Sequence, residues 1–196
     1  MNCDEKKKFD EDVRRACAVM RAGGVILYPT DTVWGLGCDA TDASAVRRVF
    51  AIKQRAESKS LITLVDSPEM LGRHVAAIPE IAAECAAPAD GRPVTMVLDG
   101  ARGMAAEVIA ADGSAGFRIT REAYSSALCR CLGHPVVSTS ANISGRPSPA
   151  IFAEIDKEII DAVDYTAAFR RDDTSRSLPS KIVKIGADGA ITVLRP

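Results

Sequence analysis

The chain has 196 residues, of which 47% are apolar and 26% are charged, and its formal net charge is −1 at pH 7. This length is enough for one domain with its own core, and the composition excludes a disordered chain. A net charge near zero also argues against a global basic field for nucleic acid, so any anion-binding site must be local. We therefore predict one domain over residues 1–196.

The cysteines indicate a reducing environment. None of the six forms a C-x-x-C pair, and the two histidines are not at metal-binding spacing. Three of them, Cys17, Cys85 and Cys129, fall in apolar helical patterns, where cysteine behaves as a small hydrophobe. We expect reduced thiols and a cytoplasmic protein, since the charged first twelve residues do not resemble a signal peptide and no apolar run is long enough to span a membrane.

The first elements are a helix, a strand and a polar stretch. Apolar residues at helical spacing over 13–20 end at a pair of glycines, and the apolar run 25–28 predicts a buried strand closed by Pro29. Residues 29–37 then carry two threonines, an aspartate and two glycines around Trp34, the only tryptophan. This stretch is either a ligand loop or a strand-to-helix loop with a buried Trp.

Two cations follow the next helix. Thr41 or Asp42 is predicted to cap it, and the helical pattern ends at Lys53, so Lys53 and Arg55 are expected to project from its C-terminus rather than enter the core. They could complement the helix dipole, or bind the phosphate of a ligand.

Polar residues also interrupt two later strands and follow a third. Thr95 lies in the apolar run 93–98, and Arg118 lies in the strand 116–119 with apolar neighbours on both sides. If both faces of the sheet are covered, Arg118 needs an anionic partner. The strand 135–138 leads into Ser138-Thr139-Ser140-Ala141-Asn142, a donor-rich run that suits phosphate binding.

Strands and helices alternate along the chain and end in a hairpin over 180–185 and 190–194. Helices are predicted to begin near Pro68 and Pro79, to span 122–132, and to follow Ile151 as two short segments or one broken one. The irregular stretch 167–179 is typical of a lid, a binding segment or disorder. We predict an α/β fold with a twisted mixed sheet flanked by helices.

Common catalytic motifs do not occur in the sequence: there is no P-loop, no G-x-G-x-x-G, no H-E-x-x-H and no nucleophile elbow. Covalent catalysis is therefore disfavoured, and we expect chemistry by positioning and charge stabilisation.

The ordered set of these segments resembles the YrdC-like family, the threonylcarbamoyl-AMP synthases. The matching segments are GVILYPTDTVWGLGCD (24–39), KQR (53–55), 92–95, 116–119, STSANISG (138–145) and 178–182. They cover nearly the whole chain, and the combination of PTDT-x-W-GLG with K-x-R and S-x-N is highly specific. The chain resembles the single-domain form of the family.

The resemblance implies a concave, positively charged cleft and a nucleotidyltransferase reaction. L-Threonine and bicarbonate give N-carboxy-threonine, whose carboxylate attacks the α-phosphate of ATP and releases pyrophosphate. Mg²⁺ would be bound mainly through the phosphates of ATP. The threonylcarbamoyl-AMP would pass to partner proteins that modify tRNA, and weak binding of tRNA itself is left open.

Site residues are carried over position by position. The resemblance implies catalytic roles for Lys53 and Arg55, which would hold phosphate and carboxylate groups. It implies nucleotide binding by Lys53, Arg55, Ser140, Asn142 and Arg195. It implies a threonine pocket formed by Thr30, Thr32, Arg118, Ser138 and Ser180.

The sequence departs from the family pattern at three places, one of them a pair of residues. Ala56 stands where a proline is usual, Lys59-Ser60 replaces a [KN]-Pro pair, and Lys181 replaces Thr or Ser after Ser180.

Two other functions are compatible with parts of the sequence. An RNA-binding module could use the same cations without chemistry, although few aromatic residues are present for base stacking. A carbamoyl-adenylate-forming relative is the other, although the zinc-finger-like cysteine pairs found beside such domains do not occur in this sequence.

Overall fold

A single mixed β-sheet forms the centre of the protein in the computed structural model, which describes residues 2–55, 61–86 and 90–196. Over these residues the sheet has nine strands in the order β7-β1-β2-β6-β3-β5-β4-β8-β9. The strands are β1 (Ile26–Tyr28), β2 (Gly35–Gly37), β3 (Ile62–Val65), β4 (Val94–Leu98), β5 (Ala115–Ile119), β6 (Val136–Ser140), β7 (Tyr165–Thr166), β8 (Lys181–Ile185) and β9 (Ile191–Arg195).

Parallel and antiparallel pairs alternate irregularly across this sheet. The pairs β1–β7, β3–β5 and β4–β8 are parallel, and the other neighbouring strands are antiparallel. The predicted mixed α/β sheet and terminal hairpin are therefore confirmed.

Six helices lie along the described chain, and most begin or end where the sequence predicts. They are α1 (Cys3–Arg21), α2 (Ala43–Ile52), α3 (Pro68–His74), α4 (Ile81–Cys85), α5 (Ala123–Leu132) and α6 (Lys157–Ala162). Asp42 caps α2 by accepting from the backbone N–H groups of Ser44 and Ala45, and α5 ends at Gly133 in the left-handed conformation. The stretch after Ile151 forms a short 3₁₀ turn and then α6.

Three features differ from the sequence prediction. Helix α1 begins ten residues before the apolar pattern does, because Asn2 and Glu5 form a capping box and the added turns are exposed. Residues 29–37 are not one loop, since Gly35–Gly37 pairs with β1 as strand β2. The two-residue strand β7 was not predicted, because a pair this short leaves no periodic signal.

The helices cover the sheet and give the strands their buried character. Helix α5 packs on β3 and on α1, and α3 packs on β3 and β5. Residues of the central strands such as Val137, Phe117 and Met96 are completely buried. None of the helices in the described ranges has the length and apolar content that a membrane crossing requires.

Close packing at Gly37 generates a stability prediction. A Cβ atom at Gly37 would lie 2.5 Å from Tyr28 Cε1 and 2.7 Å from the Val137 carbonyl oxygen, so backbone would have to move. Gly37→Ala should therefore lower the free energy of unfolding by roughly 1–3 kcal/mol in urea titration. Gly116→Ala is the matched control, because its Cβ would meet only Thr95 Cγ2 at 3.5 Å and the Leu61 carbonyl oxygen at 3.9 Å. Equal losses in the two variants would contradict the packing argument.

Candidate functional site

A cavity of about 240 Å³ opens on one face of the sheet and collects residues from both ends of the chain. Its walls come from the loop after β1, the end of α2, the ends of β3 and β6, and the C-terminal hairpin. The lining residues are Thr30, Thr32, Val33, Gly35, Arg55, Leu61, Ile62, Arg118, Ser138, Thr139, Ser140, Ser148, Pro179, Ser180, Ile182 and Arg195.

Strand register places these residues in two neighbouring rows on one face of the sheet. Ile62 is paired with Ser138 on one side and with Gly116 on the other. Further along, Ile182 is paired with Thr95 and with Arg195. Because alternate residues of a strand share a face, this pairing brings positions distant in sequence to one floor.

Lys53 is buried below the cavity and does not line it. Its side chain is 1% exposed, and its Nζ donates to the backbone carbonyls of Ser140 and Asn142, the second at 2.8 Å. It also approaches the Asn142 side-chain oxygen at 3.4 Å. Burial, together with the nearby Arg55 charge, lowers the pKa of Lys53 to about 8. The expectation that Lys53 projects from a helix end is therefore wrong: it is a core residue whose desolvation is offset by three oxygen acceptors.

Asn142 is part of the same internal network. Its side-chain oxygen accepts from Ser140 Oγ at 2.5 Å, and its amide nitrogen donates to the carbonyls of Ile143 and Arg146. Asn142 is 7% exposed and is not among the cavity-lining residues described. The amide therefore shapes the loop that presents Ser140.

Arg55 occupies a different environment from Lys53. It is half-buried and lines the cavity, and burial lowers the pKa of its guanidinium. Gln54, between the two cations, has a positive φ of 49°, a conformation uncommon for residues other than glycine. The helix thus ends in a tight turn that separates the surroundings of the two cations. The family departures at residues 56, 59 and 60 lie outside the described residues.

Arg118 is a buried hub, and its side chain has the anionic partner that the sequence required. Nη1 donates to Asp31 Oδ1 at 2.6 Å and approaches Thr32 Oγ1 at 3.4 Å. Nε and Nη2 each lie 3.2 Å from Thr95 Oγ1, and Nη2 also donates to Ser180 Oγ at 2.9 Å. Arg118 therefore joins the loop after β1 to β4 and to the C-terminal segment.

The threonines after β1 are fixed by local hydrogen bonds. Thr30 Oγ1 donates to the Val33 carbonyl at 2.7 Å and accepts from the Thr32 backbone N–H at 3.1 Å. The two hydroxyl oxygens are 3.2 Å apart. Both side chains line the cavity, so this loop presents a preformed wall of hydroxyl and methyl groups.

The C-terminal hairpin closes the other wall. Arg195 donates to the Ser180 carbonyl from Nε at 3.0 Å and from Nη2 at 2.8 Å. Burial, and then the charges of Arg118 and Arg92, lower the pKa of Arg195. Lys181 faces away, since its Nζ pairs with Asp90. The departure at this position therefore leaves the contacts of Ser180 and Arg195 in place.

Ten site residues were predicted from the sequence, and eight of them line the cavity. The other two, Lys53 and Asn142, are buried behind its wall. Asp31 and Thr95 were not predicted as site residues. Thr95 could have been recognised from the sequence, because it is a polar residue within an apolar strand. Asp31 could be inferred only once Arg118 was known to be buried and to need an anionic partner.

The arrangement is suited to holding an anion. The charged residues among the described lining are Arg55, Arg118 and Arg195, and the remaining polar ones are hydroxyl-bearing side chains. Within the described part of the chain, no group of three or more His, Cys, Asp and Glu side chains could hold a metal ion. Guanidinium and hydroxyl donors bind and orient phosphate or carboxylate groups without becoming covalently attached to them.

Comparison with known proteins identifies relatives over most of the chain. The Sua5/YciO/YrdC family model, described as "Telomere recombination", matches residues 18–196. A threonylcarbamoyl-AMP synthase of Halorhodospira halophila is 35% identical over 175 residues, which are 89% of this chain and 92% of that protein. A threonylcarbamoyl-AMP synthase of Cellvibrio japonicus is 34% identical over 83% of this chain and 88% of its own.

Solved structures share the fold. P. abyssi Sua5 in complex with L-threonine superposes with a TM-score of 0.83 at 26% identity, over 95% of this chain. The match covers 54% of the Sua5 chain, so the present chain spans about half its length. E. coli YciO superposes with a TM-score of 0.77 at 23% identity, over 95% of this chain and 89% of its own, and shows the fold alone. From the family match over residues 18–196 and the identity to curated relatives, the chain belongs to the Sua5/YciO/YrdC family.

Proposed function

We propose that the protein is an L-threonylcarbamoyladenylate synthase, which makes threonylcarbamoyl-AMP and pyrophosphate from L-threonine, bicarbonate and ATP. The observation that carries the proposal is the cavity, where three arginines and a set of hydroxyl groups from both ends of the chain meet. The curated relatives with this name match most of the chain, and a related structure contains L-threonine.

The reaction needs positioning more than it needs a protein nucleophile. The amino nitrogen of threonine forms a bond to the carbon of bicarbonate, and water leaves to give the N-carboxylate. An oxygen of that carboxylate then attacks the α-phosphorus of ATP, and the bond from phosphorus to the bridging oxygen breaks as pyrophosphate departs. Cationic and hydroxyl donors stabilise the charge on the equatorial phosphate oxygens during this displacement.

Two regions of the cavity suit the two substrates. Arg55 and Ser140 both belong to the wall formed by the end of α2 and the end of β6, and they would bind phosphate oxygens together with Arg195 from the hairpin. The cavity volume of about 240 Å³ is below the roughly 300–1,000 Å³ of pockets that bind drug-sized ligands. We therefore place threonine and the reacting phosphate inside, and the adenosine at the open rim.

Threonine would occupy the side formed by the loop after β1. Thr30 and Thr32 offer methyl and hydroxyl groups to its side chain, and Ser138 and Ser180 lie on the floor nearby. The 3.4 Å contact from Arg118 to Thr32 is the longest that this guanidinium makes to its partners. We propose that a substrate carboxylate takes over that donor.

Lys53 and Asn142 have an indirect role in this proposal. They would act as positioning residues, because Nζ of Lys53 holds the carbonyls that flank Ala141 and Asn142 Oδ1 accepts from Ser140. The phosphate role that the resemblance implies for Lys53 would require its ammonium group to leave these acceptors.

The remaining participants are part of the same proposal. Mg²⁺ would enter on the phosphates of ATP, since this cation usually keeps several waters and binds through substrate phosphates. The product would pass to proteins that transfer the threonylcarbamoyl group to tRNA. The free cysteines suit a reducing compartment, so we place the reaction in the cytoplasm.

The direct test is pyrophosphate release from ATP with each substrate omitted in turn. We expect release to require both L-threonine and bicarbonate, and the product to have the mass of threonylcarbamoyl-AMP. Release that needs carbamoyl phosphate instead of threonine would assign a carbamoyl-adenylate reaction. Absence of release, together with salt-dependent RNA binding, would assign a binding module and overturn the proposal.

Variants of the two cations should fail in different ways. Lys53→Met should lower the free energy of unfolding by roughly 1–3 kcal/mol, because buried carbonyls lose their donor, and turnover should fall with it. Arg55→Met should lower kcat by roughly 10²–10³-fold with a smaller stability change, since its half-buried side chain faces the cavity. Urea unfolding and steady-state kinetics measure the two effects.

Gln54→Asn is the matched control for both variants. It lies between the two cations, its side chain is exposed, and asparagine tolerates the positive φ at this position. It should leave both stability and turnover near wild type. A stable Lys53→Met protein with normal exchange of the 140–144 amides would contradict the positioning role.

A further inference from the structure

A buried carboxylate on α1 lies outside the cavity and has no place in the chemistry above. Asp12 is 6% exposed and belongs to the buried face of α1. Its oxygens accept from the backbone N–H groups of Ala168, at 3.0 and 2.9 Å, and of Phe169, at 2.8 Å. Tyr165 Oη donates to it at 2.5 Å. Asp12 therefore fixes the chain immediately after β7.

The anchored residues start the irregular segment 167–179. Phe169 packs edge-on against Phe9, with ring centroids 4.9 Å apart, and is stacked on Tyr124 at 5.7 Å. This aromatic packing and the Asp12 contacts restrain the same short piece of backbone. Two successive backbone N–H groups directed at one carboxylate form an anion-binding turn, whose geometry is fixed by the charge.

The next residue connects this anchor to the cavity wall. Arg170 has a φ of 61°, and its Nη1 donates to the Thr30 carbonyl at 3.2 Å. Its Nε donates to Asp173 Oδ2 at 2.8 Å, and Glu122 Oε1 lies 3.8 Å from Nη1. The left-handed conformation of Arg170 costs free energy, so it persists because its surroundings fix it. Asp12, through residues 168 and 169, supplies that restraint.

We infer that Asp12 is a positioning residue for the threonine side of the cavity, acting through Ala168, Phe169 and Arg170 on the Thr30 carbonyl. The kinetic part of this inference rests on the proposed function. A displacement of a substrate-contacting loop by a fraction of an ångström is enough to change catalysis, because reacting groups must be held close to their productive geometry.

The test uses Asp12→Asn in the full chain, with Asp10→Asn as the matched control. The substitution leaves one acceptor oxygen for three donors, which are the N–H groups of Ala168 and Phe169 and the hydroxyl of Tyr165, so these contacts are weakened. Asp10 lies on the exposed part of the same helix. Asp12→Asn should speed amide exchange at 168–170 and at 31–33 without substrates, whereas Asp10→Asn should match wild type.

The kinetic readout separates positioning from a general loss of structure. For Asp12→Asn we expect kcat/KM for L-threonine to fall by roughly ten- to a hundredfold while KM for ATP stays near wild type. A general loss of folded protein would instead reduce kcat equally for both substrates and leave both KM values unchanged. Unchanged exchange at 31–33, or equal KM changes for the two substrates, would overturn the inference.

Arg170→Gln keeps the inference falsifiable if Asp12→Asn does not fold. The partly exposed side chain of Arg170 donates the hydrogen bond to the Thr30 carbonyl. Its removal leaves the contacts of Asp12 intact. Amide exchange should rise at residues 31–33 but not at 168–169. The value of kcat/KM for L-threonine should fall as expected for Asp12→Asn. Wild-type exchange at 31–33 in this variant would overturn the inference. If the wild-type protein makes no threonylcarbamoyl-AMP, the proposed function fails while the exchange experiment still decides the role of Asp12.

Discussion

The contact on which the site depends is the ammonium group of Lys53 held by carbonyl oxygens of Ser140 and Asn142. A buried lysine costs free energy unless its donors are satisfied, and these acceptors come from a loop 87 and 89 residues further along the chain. The same junction is reinforced by the Ser144 backbone N–H, which donates to the Lys53 carbonyl at 2.8 Å. The end of α2 and the loop after β6 therefore form one unit, and Arg55 and Ser140 have a fixed relation to each other.

A second constraint organises the other half of the cavity. Arg118 and Asp31 form an ion pair in which both side chains are largely buried, 5% and 14% exposed. Removing one partner of such a pair leaves an unpaired buried charge, so each fixes the position of the other. The hydroxyls of Thr95 and Ser180 complete the guanidinium's hydrogen bonds, which brings the C-terminal hairpin into the wall of the cavity. The cavity is thus assembled by polar contacts over a sheet whose helices supply the apolar stability.

Much of the fold could be predicted because it is encoded locally. Apolar runs, Asp42 and Pro68 marked strands and helix starts that the structure confirms. The short strands β2 and β7 could not be predicted, because their stability comes from neighbours in the sheet rather than from their own residues.

The lining of the cavity was predicted more completely than the burial of the cations around it. Hydroxyl and arginine side chains after strand ends pointed to residues that line the cavity. Lys53, however, was interpreted as exposed, since a lysine at a helix end usually is, and only the fold reveals the carbonyls that surround it. Asp12 could not be distinguished from other acidic residues of α1, because its partners are backbone N–H groups more than 150 residues away.

The most direct test of this account is a crystal structure with L-threonine and a non-hydrolysable ATP analogue. The account predicts that L-threonine lies beside Thr30, Thr32 and Arg118, with phosphate oxygens within hydrogen-bonding distance of Arg55 and Ser140 Oγ. It also predicts that Lys53 Nζ remains on the carbonyls of Ser140 and Asn142. A nucleotide bound outside this cavity, or Lys53 Nζ turned away from the carbonyls to contact phosphate, would contradict it.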